Sequence, residues 1–218
     1  MRSGLTTSYP DYADIPVNKD GDYQQLNDAI LQIENEFYGT IRPKRSAASG
    51  ERPLAALGKS GVEYAEVRCV DLDPFEPIGI NSEQIRFLDT FLLLCLLTES
   101  PTDSREESAR MVRNQTAVVE RGRQPGLVLE RDTESVDLRQ WATELLDQCT
   151  YIAEVLDRHA ANNFYSQTLA AQKAKVKDPE FTPSAKVIAA LNEGSSFFDF
   201  TMQNAEQHAE FFANRTSN

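Results

Sequence analysis

Over residues 136–159 the apolar side chains Leu138, Trp141, Leu145, Cys149, Ile152 and Leu156 recur every three or four positions, the spacing that lays a stripe along one side of an α-helix. Six turns span roughly 35 Å, so a chain containing this segment must supply antiparallel partners to cover the stripe. Asn81 with Gln84 three positions on has the form of a capping box, and Ile85, Leu88, Leu92, Cys95 and Leu96 follow at helical spacing, predicting a core helix. Its most apolar run, residues 91–97, falls far short of the ~20 residues a membrane span needs. Asp103 or Ser104 caps a more polar helix to about Glu120, stopped by Gly122-Arg-Gln-Pro-Gly126. Residues 164–175 predict another long helix and Lys177-Asp178-Pro179 a turn. Thr182-Pro183 predicts an N-cap with proline at the first helical position before residues 185–191, and residues 196–214 a helix with a frayed end.

Residues 1–80 read differently. Up to about residue 26 little regular structure is expected, with Asn18-Lys19-Asp20-Gly21-Asp22 suited to a turn. Residues 30–38 favour a strand entering a loop, and residues 46–60, rich in Ser, Ala, Gly and Pro, a mobile connection. Residues 62–72 are the clearest strand, with Val62, Tyr64, Glu66, Arg68, Val70 and Leu72 on one face. Pro74 and Pro77 end it, since neither can donate to a ladder. The chain is therefore α+β: an extended and looped portion over 1–80, then a helical region over 81–218. A strand with so few companions implies a sheet whose other members are hard to see or lie elsewhere.

Charge and cysteine content exclude several classes. With 22 Lys and Arg against 34 Asp and Glu the net charge is −12, unsuited to nucleic acid, where cations displace condensed counterions. Three cysteines, no Cys-x-x-Cys and two histidines argue against a disulfide scaffold or a zinc site. The first ten residues hold no apolar block resembling a secretory leader, so cytoplasm is the expected compartment, without a membrane partner.

Two clusters can carry chemistry. Glu66 and Arg68, two apart on one strand face, can hold a divalent cation and an anionic oxygen close together, as phosphoryl transfer requires. The plain alternative is a surface ion-pair ladder, against which stands the apolar row of Val62, Tyr64, Val70 and Leu72 on the same face, where unpaired charge would be costly. The second cluster, Arg42, Lys44 and Arg45 on a proline-stiffened loop after Tyr38, is either a solvated basic loop or a phosphate clamp. Cys69 points away from Arg68 by strand alternation and reads as packing, and His159 and His208 as structural or surface.

The blocks Leu31-Gln-Ile-Glu-Asn-Glu-Phe-Tyr-Gly-Thr-Ile-Arg-Pro-Lys-Arg45, Val62-Glu-Tyr-Ala-Glu-Val-Arg68, Pro74-Phe-Glu-Pro-Ile-Gly79, Gln84-Ile-Arg-Phe-Leu-Asp89 and Gly122-Arg-Gln-Pro-Gly-Leu127 resemble glutamate-cysteine ligase of the proteobacterial type. They follow the family's order over roughly residues 16–128, while the helices beyond residue 130 resemble it only loosely. The resemblance implies a glutamine-synthetase-like sheet fragment backed by helices. It implies ATP-dependent joining of the glutamate γ-carboxylate to the cysteine amino group through γ-glutamyl phosphate, with Mg2+, as the first step of glutathione synthesis. It makes Glu66 a metal ligand, Arg68 the contact to the transferred anion and the substrate, and Tyr38 a border of the cysteine pocket, with Arg42 and Lys44 as candidate ATP-phosphate ligands. The family's N-terminal portion, which carries most acidic metal ligands, has no counterpart here, so a C-terminal part inactive alone is expected, with that missing portion as its partner. A lone Glu66 cannot hold several hard cations. The competing readings are a non-catalytic helical interaction protein and a ligase using another amine.

Overall fold

Before Leu26, where little regular structure is expected, a computed structural model shows two short helices, α1 (Arg2–Thr6) and α2 (Pro10–Ala13), and a tight hairpin of β1 (Asn18–Lys19) and β2 (Asp22–Tyr23). The structure describes residues 2–100 and 102–215. Asp20 and Gly21 both take positive φ (54° and 94°), the pair of values a two-residue hairpin turn requires, so the turn falls on the expected residues. Residues 30–38 are not a strand but a loop with a single 3-10 turn at Glu34–Glu36. Local side-chain bonding defeats the alternation there. Glu36 accepts from the amides of Gln32 (2.6 Å) and Ile33, and the Gln32 side chain accepts from the amides of Leu26 and Asn27.

Strand β3 (Ile41–Lys44) follows, then helix α3 (Pro53–Ser60) inside the stretch expected to be a mobile connection. Pro53 opens α3, Gly61 at φ 76° closes it, and Glu34 Oε2 accepts from the Leu54 amide (2.9 Å), anchoring its first turn. Strand β4 (Tyr64–Val67) is only four residues long, not the eleven expected, because its partner β3 is itself four residues long.

The chain divides into two compact units, one ending at Asp71 and the other starting at Leu72. In the second, α4 (Ser82–Leu97) begins at the expected capping box, with Asn81 Oδ1 accepting from the Gln84 amide and Gln84 Oε1 from the Asn81 amide. Its inward side carries Phe87, Phe91 and Leu94 around the buried Thr90, whereas Ile85, Cys95, Leu96 and Leu97 are exposed. Residues 91–97 are apolar on every side, so spacing alone does not select the covered face, and the expectation of a wholly buried helix is corrected. Helix α5 (Arg105–Arg121) is capped by Ser104.

A hairpin of β5 (Val128–Arg131) and β6 (Glu134–Asp137) then intervenes where none is expected. Val136, assigned from periodicity to the long helix, lies in β6 and packs with Leu127 and Leu129 against Ala117 and Trp141. Asn114 on α5 bonds both backbone groups of Glu130 (2.7 and 2.9 Å), joining helix and hairpin. The long helix α6 (Leu138–Ala160) starts at Asp137, whose carboxylate accepts from the Arg139 and Gln140 amides. Helix α7 (Phe164–Lys177), a 3-10 turn at Pro179–Phe181, α8 (Pro183–Asn192) with the expected Thr182 cap, and α9 (Phe197–Arg215) complete the order. The core sits where Leu146, Cys149 and Ala153 of α6 and Leu169 of α7 meet the α4 phenylalanines. Among the described residues no helix is long and apolar enough to cross a membrane.

Asp157, buried near the end of α6, accepts from the amides of Tyr165 (2.8 Å) and Ser166 (2.9 Å) and so caps α7 from the preceding helix. Burial pushes its carboxyl up, but the bonds from Ser166 and Tyr165 together outweigh this and hold it below the ordinary carboxylate range. Asp157→Ala is expected to cost about 2 kcal/mol in denaturant titration, since two amides of the first turn of α7 lose their cap. With the folded value lowered, the contribution is complete above pH ~4 and is lost as pH falls through that lowered value, so the stability gap between the unmodified chain and the Asp157→Ala variant should close in acid.

Candidate functional site

Strands β3 and β4 pair antiparallel with Arg42 opposite Glu66 and Lys44 opposite Tyr64. Opposed residues share a face, so Arg42, Lys44, Tyr64 and Glu66 project to one side and Ile41, Pro43, Ala65 and Val67 to the other. Arg68 extends the first row, its amide donating to Thr40 O (2.8 Å). The basic cluster expected on a loop is thus the companion strand of the Glu-x-Arg segment. Pro43 hides it from a pattern reading, because proline is tolerated only where a strand has a free edge.

On this face Glu66 Oε1 lies 3.0 Å from Arg68 Nη2, and Oε2 lies 3.3 Å from Lys44 Nζ. The exposed Tyr38 ring faces two guanidinium carbons, those of Arg68 at 5.6 Å and Arg42 at 5.9 Å, within cation–π range. All five residues singled out from the sequence therefore gather at one place within the first unit. Three cations against one carboxylate leave the patch at +2 in a chain of net charge −12, a local reversal suited to a multiply charged anion.

The apolar row expected to surround Glu66 and Arg68 is not buried. Val62 is 61% exposed and Leu72 81%, and Tyr64 and Val70 are exposed as well. The Glu66 charge is balanced by Arg68 and Lys44 instead of being stranded in an apolar row. The Arg68 guanidinium bonded to Glu66 holds its carboxyl below the ordinary carboxylate range, burial opposing and Lys44 adding to the effect. Glu66 is accordingly ionised at neutral pH.

An ionised oxygen is what a hard divalent cation takes, and Glu66 Oε2 fits that use: it is shielded from solvent and accepts no hydrogen bond. The ammonium of Lys44 stands near it but out of hydrogen-bonding direction. Among the described residues no group of three or more His, Cys, Asp or Glu could hold a metal ion, so Glu66 could serve only as one ligand of several.

Neighbouring charged residues are spent on the scaffold. Arg45 donates to Gly61 O and Ser60 O (2.7 Å each) at the end of α3, and Glu34 and Glu36 accept from backbone amides. Cys69, expected to pack, is exposed, and Cys149 is the buried cysteine, its thiol pushed up by burial. A nitrogen of the His208 ring lies 3.0 Å from Pro74 O, consistent with the structural part expected of it. The recess of about 470 Å³ between α6 and α7 contains none of the five. What the sequence reading missed is the contact of Lys44 with Glu66. Its signal was the alternation of Ile41 and Pro43 with Arg42 and Lys44, beside a strand lacking a partner.

A family model described as glutamate-cysteine ligase matches residues 1–118. The glutamate–cysteine ligase of Pseudomonas fluorescens (strain Pf-5) is 45% identical over 217 residues, 99% of this chain and 41% of that protein. The enzyme of that name from Azotobacter vinelandii is 48% identical over 211 residues, 96% of this chain and 40% of that protein. A crystal structure of glutamate–cysteine ligase from Francisella tularensis in complex with AMP is similar with a TM-score of 0.80 and 36% identity, over 96% of this chain and 42% of that one. The likeness thus runs on through the helices beyond residue 130, which is a correction. The chain spans 40–41% of the length of these curated relatives.

Proposed function

Because the chain belongs to the glutamate-cysteine ligase family, we propose that it carries part of a site that joins L-glutamate to L-cysteine at the expense of ATP, in the cytoplasm, as the first step of glutathione synthesis. The γ-phosphoryl group passes from ATP to the glutamate γ-carboxylate, leaving ADP. The cysteine amine then attacks that acyl carbon, and orthophosphate departs as the amide forms. Arg68 holds the anion being transferred, and Arg42 and Lys44 hold nucleotide phosphates, each offering charge-assisted hydrogen bonds. Tyr38, stacked on two of these cations, borders the place of the cysteine side chain. Glu66 would hold Mg2+ through Oε2, and the ion when bound supplies neutralisation of phosphate charge.

The observation that carries this reading is the face of β3 and β4, where three cations surround one ionised carboxylate. With no group of three or more His, Cys, Asp or Glu able to hold a metal ion among the described residues, the chain supplied with ATP, Mg2+, glutamate and cysteine should release no orthophosphate. Grafted in place of the corresponding segment of the Pseudomonas fluorescens enzyme, it should yield γ-glutamylcysteine with one orthophosphate per amide bond. A folded graft that makes no product overturns the proposal. Turnover by the chain alone would show that its ligand set is complete.

A further inference from the structure

The two oxygens of Glu66 face different cations. Oε1 forms an ion pair with the Arg68 guanidinium at 3.0 Å. Oε2 is closed off from solvent and accepts no hydrogen bond, yet Lys44 Nζ stands 3.3 Å from it. A lysine ammonium is a compact point charge on a flexible four-carbon stem, whereas a guanidinium is a rigid fork. The Lys44 side chain is also 31% exposed, so it has water to move into. The contact at Oε2 is therefore the one a second cation can replace, while the contact at Oε1 stays in place. Without some cation there, a desolvated carboxylate oxygen would stand unpaired at an energetic cost.

We infer that Lys44 is the resident counter-ion of the metal-binding oxygen of Glu66, displaced from it by an arriving divalent cation and thereby freed to meet the phosphates of a nucleotide on the same face. The inference rests on Glu66 being a metal ligand. It makes the ammonium and the metal mutually exclusive at Oε2. It also sets an order: the cation arrives at Glu66 first, and only then does the strand offer its full positive charge to the anion. Lys44 is thus a positioning residue, acting on the metal through Glu66 and afterwards on the nucleotide.

The test uses Mn2+ as the probe, titrated into the ligase carrying this chain as a graft, whose other segment supplies the remaining ligands, while paramagnetic broadening of the β3 and β4 amide signals is followed by NMR. Glu66→Gln should abolish the broadening. Lys44→Met should lower the apparent Kd for Mn2+ about fivefold, because a like charge beside the site is gone. Lys44→Arg, with a fork able to bond Oε2 directionally, should raise that Kd. In the unmodified graft the rate at which acetic anhydride acetylates Lys44, read by mass spectrometry, should rise as Mg2+ is added. If Glu66→Gln abolishes the broadening but Lys44→Met leaves the Kd unchanged, the displacement is overturned and Glu66 stands as ligand. If the broadening survives Glu66→Gln, the metal role of Glu66 falls and this inference with it. An acetylation rate indifferent to Mg2+ overturns the displacement without recourse to any variant.

Discussion

Glu66→Gln in the ligase carrying this chain as a graft is expected to lower the rate of γ-glutamylcysteine formation by at least on the order of a hundredfold, measured as coupled ADP release at saturating substrates. Gln keeps the shape of the side chain and can still meet Arg68, so the ribbon should fold as before. What it removes is the negative charge at Oε2, the oxygen that is shielded from water and accepts no hydrogen bond. The loss should therefore be accompanied by a higher requirement for Mg2+. Arg68→Lys provides the contrast: charge is kept but the guanidinium fork that meets Oε1 at 3.0 Å is lost, and the Mg2+ requirement should stay nearer that of the unmodified enzyme. Near-normal turnover in Glu66→Gln would remove this residue from the ligand set.

The largest effect on stability is expected at Leu146. It is 5% exposed on α6 and packs in the cluster with Cys149, Ala153 and Leu169, covered by Phe87, Phe91 and Leu94 from α4. Helices on two sides limit how far the site can collapse around a smaller residue. Leu146→Ala should cost about 3 kcal/mol and lower Tm by roughly 6–12 °C in calorimetry. Leu97→Ala, by comparison, removes a side chain already 74% exposed and should move Tm little. Equal shifts for the two would mean that the end of α4 is covered in solution.

The long helices were legible because several of their signals agree. The caps at Asn81, Ser104 and Thr182, the breaker at Gly122 and the stripe from Leu138 to Leu156 all coincide with observed boundaries to within a few residues. The first unit was less legible because its order comes from contacts distant in sequence or from side chains bonding to backbone. Helix α3 is held by Glu34, twenty positions before Leu54, and by Arg45 at its far end. The β5–β6 hairpin escaped notice because Val136 fits the helical period that begins two residues later, and the turn at Asp132, with φ 50°, lacks the glycine that would mark it. At the candidate site the residue types could be read from the sequence, but the register setting Arg42 against Glu66 could not, since it depends on a strand that contains a proline.

That proline has a consequence for growth of the sheet. The Arg68 amide bonds Thr40 O, which places residues 40, 42 and 44 in the bonded pairs and turns the backbone of residues 41 and 43 toward the outer rim of β3. Pro43 has no amide hydrogen, so it takes nothing from the β3–β4 ladder, yet it leaves a missing rung for any strand approaching from outside. The opposite rim presents complete peptide groups at Ala65 and Val67. Recruitment of additional strands is thereby one-sided, with the Glu-x-Arg strand becoming interior and the tyrosine-bearing side remaining the border.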